Sequence, residues 1–518
     1  MSKLVIDPLT RIEGHLKIEA VVEDGVVKEA HCAGMLFRGI EVILRGRDPR
    51  DAQVITQRIC GVCPIAHAMA STLALDDAFG VAGDVPHNGR ILRNLILGSN
   101  YIQSHILHFY HLAALDFVDA TAAAGYTGSD RNLRLVANYL SGGGYSPFLP
   151  RYEGDYRLPR DVNQACVSHY VEALHKRREA HEMLSVFGGK MPHQMSIFPG
   201  GALEQVTVDK IMAFRHRLER LRDFIDNIYL PDVLAVARAY LDCAEIGAGC
   251  RRYLSYGAWD LDQTAELMRR RRYLPSGVLN AATQEVAALE PQRITEQVRY
   301  SWYKSTSDLR PANGETAADP TKPSAYSFLK APRYGGQVCE VGPLARLLVS
   351  YARGHERVRK LVDGLLTEIG APAGALSSLL GRHAARALEC KLVADAMAEW
   401  TLQLHPGEPT CAEFSVPKTG VGMGLTEAPR GSVGHWIEIR DGVIANYQAV
   451  VPTTWNCSPR DDGEQPGACE QALEGAPVKD EQNPFELVRI VRSFDPCLAC
   501  SIHMVRPRGH ELGEFRVI

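Results

Sequence analysis

The hydrophobic positions follow a strand-like pattern near the start of the chain and a helical period afterwards. Residues 4–6, 15–22 and 26–32 are β-rich, and Asp24-Gly25 predicts a hairpin turn between the second and third of these segments. From about residue 50 the apolar residues recur every three or four positions. One such run predicts a long buried helix through Ile91, Leu95, Ile102, Ile106, Phe109 and Leu112.

Further helices follow, together with a second hairpin near the other end of the chain. We expect the hairpin over residues 436–451, turning at Asp441-Gly442, and a polar surface loop over 304–326. The remaining helical patterns cover 171–187 closed by Gly188-Gly189, 211–228 stopped near Pro231, 343–368, 376–404, and a short segment before Asp495. The predicted fold class is mainly α: a large helical-bundle body with small β-hairpins near the N- and C-terminal parts.

Composition and charge change this picture little. The chain has 518 residues, of which 46% are hydrophobic and 23% charged, as in ordinary globular proteins. The formal net charge of −4 gives no basic surface, so we expect no nucleic-acid partner. No apolar run is long enough for a transmembrane helix. The first residues contain no apolar signal core, so export would depend on another chain.

The cysteines carry the candidate chemistry. Four of the thirteen form two C-x-x-C pairs at opposite ends of the chain, Cys60 with Cys63 and Cys497 with Cys500. Spacing of three residues places both sulfurs on one side of a turn or helix start, where backbone N–H groups favour thiolate. Four converging thiolates carry so much negative charge that they predict a metal site.

The residues alone are compatible with several hypotheses about these pairs. Two redox C-x-x-C motifs, a structural zinc site and an iron–sulfur cluster all use such spacing. No thioredoxin-like βαβ pattern surrounds either pair. Zinc ribbons place their pairs about 15–20 residues apart, whereas these pairs are separated by most of the chain.

The motifs around the two pairs resemble a known family. R-x-C-G-x-C-x-x-x-H at 58–67 and D-P-C-x-x-C-x-x-H at 495–503 are similar to the large, catalytic subunit of nickel–iron hydrogenases of the uptake, membrane-bound or periplasmic type. The resemblance covers essentially the whole chain. It includes RIEGH at 11–15, FRGIE at 37–41, GRDPRD at 46–51, SHILHFY at 104–110, FGGKMPH at 187–193, KAPR at 330–333, EVGPLAR at 340–346, EAPRG at 427–431 and VPTTWN at 451–456.

The resemblance implies the metal ligands and the reaction. Cys60, Cys63, Cys497 and Cys500 would all bind nickel, and Cys63 and Cys500 would also bridge to iron. Carbon monoxide and cyanide would complete the iron ligands. The implied activity is an oxidoreductase reaction, the reversible heterolytic cleavage of H2 to protons and electrons.

The resemblance also assigns catalytic roles around the metals. The Cys497 thiolate would accept the proton and Glu13 would relay it, while Arg430 would lie over the open metal position and contact a cyanide. Because a guanidinium stays protonated, we expect Arg430 to act electrostatically rather than as a base. Pro429 and Thr453 would line the iron ligands.

Outer residues complete the implied site. His67, one helical turn after Cys63, would hydrogen-bond a bridging sulfur. His105 and His108 are weaker candidates for the same kind of role. Glu41, His503 and a backbone carbonyl near Ala449 resemble the family's Mg²⁺ ligands.

The other nine cysteines form no C-x-x-C or ferredoxin run, so the electrons need a partner chain. By resemblance this is an iron–sulfur small subunit, in a heterodimer or a dimer of heterodimers, with a membrane cytochrome b or a cytochrome c as acceptor. Export with the small subunit would place the protein in the periplasm or at the periplasmic face of the membrane, with the cytoplasm as the alternative.

The end of the chain resembles a maturation extension. Residues 1–503 would form a single large-subunit domain, and a dedicated endopeptidase would remove 504–518 after nickel insertion. This tail argues against hydrogen-sensing relatives, which lack it, and the four cysteines argue against the quinone-site subunit of respiratory complex I. The selenium-containing branch has selenocysteine where this chain has Cys497. Ser104 stands where some oxygen-tolerant members have aspartate, which argues against oxygen tolerance without deciding it.

Overall fold

A computed structural model describes residues 2–144, 146–148 and 155–498, and the chain is about 45% helical and 18% strand. The helices in this part of the chain are α1 (Ile40–Leu44), α2 (Asp51–Thr56), α3 (Pro64–Ala78), α4 (His87–Leu107), α5 (Arg131–Ser141), α6 (Arg160–Gly188), α7 (Val208–Phe224), α8 (Leu230–Ala239), α9 (Pro343–Ala352), α10 (Glu356–Ile369), α11 (Leu379–Thr401), α12 (Pro452–Asn456), α13 (Ala468–Leu473) and α14 (Phe485–Ser493). The strands are β1 (Ser2–Ile6), β2 (Leu16–Glu23), β3 (Val26–Gly34), β4 (Ile197–Phe198), β5 (Gly201–Ala202), β6 (Arg252–Ser255), β7 (Ala258–Asp260), β8 (Arg272–Leu274), β9 (Gly277–Asn280), β10 (Glu285–Ala287), β11 (Ile294–Gln297), β12 (Ala331–Tyr334), β13 (Gly420–Ala428), β14 (Gly431–Arg440) and β15 (Val443–Val450).

The strand content overturns the expected fold class. A mainly α body with β-hairpins only near the two ends is wrong, because β4 to β12 form small antiparallel sheets in the middle of the chain. Segments of two to four residues are too short to display a period, and β11 pairs with β12 across a long loop. These strands therefore form through pairing with other segments of the fold and not through a local hydrophobic pattern.

The N-terminal sheet agrees with the predicted pattern. Strands β1, β2 and β3 lie in sequence order and pair antiparallel. The residues on one face of β2 are buried, beginning with Leu16 and Ile18, as a sheet packed on one side requires. Asp24 and Gly25 have φ angles of 52° and 71°, the left-handed conformation of a tight hairpin turn.

Long helices form the centre of the molecule, and the patterns that predicted them are confirmed. Helix α4 is buried along almost its whole length, and α3, α6 and α11 pack against it. A buried ion pair between Arg93 on α4 and Asp76 on α3, with a nitrogen–oxygen distance of 2.6 Å, joins two of these helices. None of the helices in the described ranges is long and apolar enough to cross a membrane.

Two predicted helix boundaries differ from the structure. The helix expected to stop near Pro231 continues, because a π-helical turn at Ile225–Tyr229 joins α7 to α8. Pro231 lies in the first turn of α8, directly after this π-helical turn. The pattern over 343–368 is two helices, since the chain breaks at Gly354 with φ of 84°.

The C-terminal sheet contains the predicted hairpin, β14 and β15, and an additional strand, β13. Glycines allow β13 to pack directly on α3. A Cβ atom at Gly422 or Gly424 would lie 2.0 Å or 1.9 Å from the backbone oxygens of Ala74 and Ala70. The turn between β13 and β14 carries Pro429 and Arg430, and this close packing places it beside the start of α3.

Candidate metal centre

Three cysteine sulfurs from the two ends of the chain meet in the interior. The sulfurs of Cys60, Cys63 and Cys497 all lie within 4.8 Å of one another, and each residue is at most 1% exposed. The sulfurs of Cys60 and Cys497 are 3.3 Å apart. Cys500, the fourth predicted ligand, lies outside the described residues. Within those residues this is the one group of three or more His, Cys, Asp or Glu side chains with such spacing.

The first pair sits at the start of helix α3. Cys60 follows a 3-10 turn, and Cys63 occupies the N-cap position, with Pro64 in the first helical turn. The backbone N–H groups of Val62 and Cys63 lie 3.2 Å and 3.4 Å from the Cys60 sulfur and donate to it. These donors and the positive end of the helix dipole both stabilise a thiolate.

The second pair begins directly after α14, where the N-terminal segment holds it. The Leu498 N–H donates to the Glu13 carbonyl at 2.7 Å, so the backbones of Glu13 and Cys497 form a short parallel bridge. This bridge places the Glu13 carboxylate 3.3 Å from the Cys497 sulfur. Thr453, in the first turn of α12, accepts a hydrogen bond from the Cys497 N–H at 2.9 Å.

Arg430 brings a buried positive charge to the sulfurs. Its Nε donates to the Asp495 carbonyl at 3.1 Å, and its Nη1 donates to the Ser104 hydroxyl at 3.4 Å. Its Nη2 lies 2.9 Å from the Asp495 carboxylate but makes no hydrogen bond within the described structure. Burial opposes the charge, but Asp495 and the three cysteine sulfurs outweigh burial and raise the pKa of Arg430 further.

His67 lies on α3 one turn after Cys63, and a second histidine holds it. Its Nδ1 is 3.2 Å from Nε2 of His435 on β14, a partner that the sequence did not suggest. Burial lowers the pKa of His67 to about 4, so the imidazole is neutral.

The predicted Mg²⁺ ligands are only partly within the described chain. Glu41 is 5% exposed, and one carboxylate oxygen accepts from the Ala449 N–H at 2.8 Å. The other oxygen accepts from the Thr316 hydroxyl. Glu41 and Ala449 are thus adjacent, while His503 lies outside the described residues.

The remaining candidates belong to a buried charge network. The Pro429 carbonyl accepts from Arg346 at 3.0 Å, and Arg346 also pairs with Glu389. Glu389 in turn lies 2.8 Å from Nε2 of His105. His108 contacts the backbone carbonyl of Arg492 at 2.7 Å. These contacts give both histidines structural partners.

Sequence reasoning missed three residues that hold the site. Asp495 pairs with Arg430, Ser104 accepts from it, and His435 holds His67. Asp495 precedes the second cysteine pair, which was the available signal for it. Ser104 begins a segment already noted for its likeness to the family, whereas His435 had no signal beyond its place in a predicted hairpin.

The donor set suits a soft transition metal. Thiolate sulfur prefers nickel, iron, copper and zinc to hard cations. The buried guanidinium of Arg430, ion-paired with Asp495 at 2.9 Å, places a positive charge beside the sulfurs. The residues present therefore fit a thiolate-bound metal centre beside a fixed positive charge.

Comparison with known proteins identifies the family. The nickel-dependent hydrogenase family matches residues 38–503, and a family described as HoxL-like matches residues 3–33. The periplasmic [NiFeSe] hydrogenase large subunit of Desulfomicrobium baculatum is 41% identical, over 100% of this chain and 97% of its own length. The uptake hydrogenase large subunit of Bradyrhizobium diazoefficiens is 38% identical, with the same coverage of each chain.

Solved structures agree with the sequence matches. The Ni-Fe-Se hydrogenase of Desulfovibrio vulgaris Hildenborough in the reduced state superposes with a TM-score of 0.87 and 44% identity. The match covers 97% of this chain and 100% of that one. The chain belongs to the nickel-dependent hydrogenase family as a large subunit, and it is an oxidoreductase.

Proposed function

We propose that this large subunit cleaves H2 heterolytically and reversibly at a nickel–iron centre held by Cys60, Cys63, Cys497 and Cys500. The observation that carries the proposal is the convergence of Cys60, Cys63 and Cys497 beside the Arg430 guanidinium and the Glu13 carboxylate. When bound, such a centre supplies the cleavage of H2 into protons and electrons. Cys497 makes the expected site a nickel–iron one, although several named relatives are nickel–iron–selenium enzymes.

The chain's own residues would arrange the metals and their ligands. Cys60 and Cys497 would bind nickel alone, and Cys63 and Cys500 would bridge nickel and iron. Thiolates at two iron positions leave the others to non-protein ligands, which we take to be carbon monoxide and cyanide. Pro429 would line them, and so would Thr453, which fixes the Cys497 backbone.

Arg430 would act as a fixed charge. Its guanidinium is buried and stays protonated, because Asp495 and the cysteine sulfurs raise its pKa. The guanidinium, held by Asp495 at 2.9 Å, would be placed to bind a cyanide or to stabilise negative charge near the metals. A protonated guanidinium favours electrostatic positioning over a base role.

The proton would leave through Cys497 and Glu13. The Cys497 sulfur and the Glu13 carboxylate are 3.3 Å apart, within the range of a sulfur–oxygen hydrogen bond. The sulfur is fully buried, whereas Glu13 is half-buried, so the carboxylate lies on the way towards the surface. Transfer along this contact needs no movement of the backbone.

The Mg²⁺ site would lie beside Ala449 of β15, which pairs with His435 of β14. Glu41, the Ala449 carbonyl and His503 are its proposed ligands. Support comes from the burial of Glu41 beside Ala449 and from Lys330, which pairs with Glu296 in the same polar pocket at 3.0 Å. A buried carboxylate of this kind needs a cation to balance its charge.

We further propose an iron–sulfur small subunit, in a heterodimer or a dimer of heterodimers, as the electron acceptor. The relatives are named as large subunits or large chains, which implies a smaller partner. A cytochrome b or cytochrome c would take the electrons onward. The periplasm, or its face of the membrane, is the proposed location, since relatives are named periplasmic or quinone-reactive. Residues 1–503 would be the mature domain, and a maturation endopeptidase would remove 504–518.

A metal and infrared measurement tests the proposal. The protein is purified with its small subunit, and its nickel and iron contents, infrared spectrum and H2 uptake are measured. We expect nickel, bands of iron-bound carbon monoxide and cyanide, and H2-dependent dye reduction. A preparation without nickel, or without those bands, contradicts the nickel–iron assignment.

A further inference from the structure

We propose that Arg346 is a positioning residue that holds the turn between β13 and β14, and so keeps the Arg430 guanidinium beside the cysteine sulfurs. The inference rests on the proposed function, because it concerns the charge that Arg430 would bring to the metals. Arg346 lies on α9 and acts through the backbone of Ala428 and Pro429, the two residues that precede Arg430.

The turn that carries Arg430 is a tight one. Ala428 pairs with Gly431 across the hairpin, so Pro429 and Arg430 are its two turn residues. The Pro429 ring fixes one backbone angle beside Arg430, and Gly431 follows with a φ of 138°. In so short a loop the direction of the Arg430 side chain is set by the backbone on either side of it.

Arg346 binds the backbone on the side of the turn that precedes Arg430. Its Nη1 donates to the Ala428 carbonyl and its Nη2 donates to the Pro429 carbonyl, both at 3.0 Å. The Arg346 side chain is 0% exposed, so water does not compete for these contacts. Because the guanidinium is planar and rigid, it fixes the two successive carbonyls relative to each other.

Two buried carboxylates fix the orientation of Arg346. Its Nε and Nη2 donate to the two oxygens of Glu389 at 2.5 Å and 2.6 Å, and its Nη1 donates to Glu427 at 2.8 Å. With the two carbonyls, all five N–H groups of the guanidinium have an acceptor. The other Glu427 oxygen accepts from the Tyr256 N–H and the Ser432 hydroxyl, both at 2.6 Å. The guanidinium is therefore held in a single orientation.

The start of α9 packs against the other side of the same turn. A Cβ atom at Gly342, the N-cap of α9, would lie 3.1 Å from the Arg430 carbonyl oxygen. A Cβ atom at Gly431 would lie 2.5 Å from the Val341 side chain. Arg346 is one helical turn beyond Gly342, and its N–H donates to the Gly342 carbonyl at 2.9 Å. One helix therefore contacts the backbone both before and after the Arg430 side chain.

Arg346→Lys tests the proposal while keeping the positive charge between the two glutamates. An ammonium has three N–H donors for the five acceptors, and carboxylates are stronger acceptors than carbonyls. The lysine should therefore release the Ala428 and Pro429 carbonyls. In the purified heterodimer, the infrared stretch of the cyanide that Arg430 contacts should move, while the carbon monoxide stretch and the nickel content stay unchanged. H2 turnover should fall about 10-fold.

Arg333→Lys is the matched control. The Arg333 side chain is also 0% exposed, and its five N–H groups donate to Asp461, the Ser458 hydroxyl and three backbone carbonyls outside the Arg430 turn. The control should keep the wild-type cyanide bands and turnover. Unmoved cyanide bands in Arg346→Lys, or the same shift in the control, overturn the positioning role alone. A wild type without nickel or the bands overturns the proposed function and this inference together.

A double variant separates positioning from a general loss of packing. If Arg346 acts through Arg430, adding Arg346→Lys to Arg430→Gln should lower H2 turnover little further than Arg430→Gln alone. A second, full 10-fold loss in that background would show a role independent of Arg430 and would contradict the proposal.

Glu427→Gln is the deciding variant if Arg346→Lys does not assemble with the small subunit. It leaves the Arg346–Glu389 pair in place, but Nη1 of Arg346 then faces an uncharged amide instead of a carboxylate. We expect a cyanide shift with an unmoved carbon monoxide band. Cyanide bands at the wild-type position in this variant would refute the role of Arg346.

Discussion

Within the described residues, two groups of three buried cysteines differ in what surrounds their sulfurs. The metal-centre cysteines are Cys60, Cys63 and Cys497. The second cysteine cluster consists of Cys32 on β3, Cys457 after α12 and Cys469 on α13, all 0% exposed. The Cys32 and Cys457 side chains are hydrogen-bonded to the Cys469 sulfur, and these bonds and burial raise the pKa of both thiols.

The difference shows that burial alone does not make a metal site. At the metal centre, backbone N–H groups, the start of α3 and the Arg430 guanidinium supply positive charge to the sulfurs. In the second cysteine cluster Cys32 and Cys457 keep their protons, their hydrogen bonds lower the pKa of Cys469, and the neighbouring group is the buried carboxyl of Glu470. Only the first group brings three sulfurs mutually within 4.8 Å among the described residues. Charge and spacing, rather than the number of cysteines, decide the chemistry.

The largest expected effect is on nickel binding. Cys497→Ala should abolish nickel retention and H2 uptake, because it removes a proposed nickel ligand. Cys457→Ala, the matched control from the second cysteine cluster, should retain full nickel and cost about 1 kcal/mol of stability. Nickel analysis and H2-dependent dye reduction of the two heterodimers check this. Nickel loss in Cys457→Ala would contradict the claim that only the metal-centre cysteines are needed for nickel binding.

The positive charge that distinguishes the metal centre is the next target. Arg430→Gln should lower H2 turnover by about 10²- to 10³-fold, the usual cost of removing one preorganised electrostatic donor. Nickel content should stay near that of the wild type, since Arg430 is not a ligand. Arg430→Lys keeps the positive charge but lacks the planar guanidinium. Its H2 turnover should lie between that of the wild type and that of Arg430→Gln. Wild-type turnover in Arg430→Gln would remove Arg430 from the mechanism.

A glutamate lies beside each cysteine cluster, Glu13 beside the first and Glu470 beside the second. Only Glu13 should relay protons during H2 turnover. Glu13→Gln should slow H2 turnover and hydrogen–deuterium exchange by about 100-fold, because the amide cannot accept the proton from Cys497. Glu470→Gln serves as the control, since the Glu470 oxygens accept from the Cys32 and Gly467 N–H groups and from Tyr326 instead of a metal-centre sulfur. Loss of nickel in Glu13→Gln would instead indicate a structural role.

The smallest effect concerns stability and pH at the second cysteine cluster. Burial raises the pKa of Glu470 from 4.5 to about 7, so the folded chain holds this proton more tightly than the unfolded chain does. The contribution is fully present below the unfolded pKa and is lost as the pH rises through the folded one, about 3 kcal/mol in all.

Thermal unfolding at pH 5 and pH 7.5 measures this contribution. On going to the higher pH, the wild type should lose stability relative to Glu470→Gln, which cannot titrate. The difference between the two proteins removes the effect of other groups, such as the buried histidines, which titrate alike in both. Parallel pH profiles would mean that the Glu470 carboxyl is ionised throughout.

The long helices and the cysteine pairs could be predicted from the sequence, whereas the short strands and the contacts between distant residues could not. The buried helix α4 repeats its period over many residues, and the cysteine pairs have fixed local spacing, so both can be read directly. The strands β4 to β12 are too short to show a period. The Arg430–Asp495 and His67–His435 contacts join residues far apart in the chain, which no local pattern records. The helix over 211–228 was predicted to stop near Pro231, and this was wrong because the spacing of apolar residues does not show the π-helical turn before that proline.

The bridge between Glu13 and Cys497 has a consequence for how the protein is made. The two residues are separated by 484 positions, so their contact is among the most non-local that a chain of this length allows. Contacts of such high contact order form late, because the entropy of closing the loop must be overcome first. During translation Cys60 and Cys63 cannot meet Cys497 until nearly the whole chain has left the ribosome. Nickel delivery is therefore a step that follows synthesis of the polypeptide.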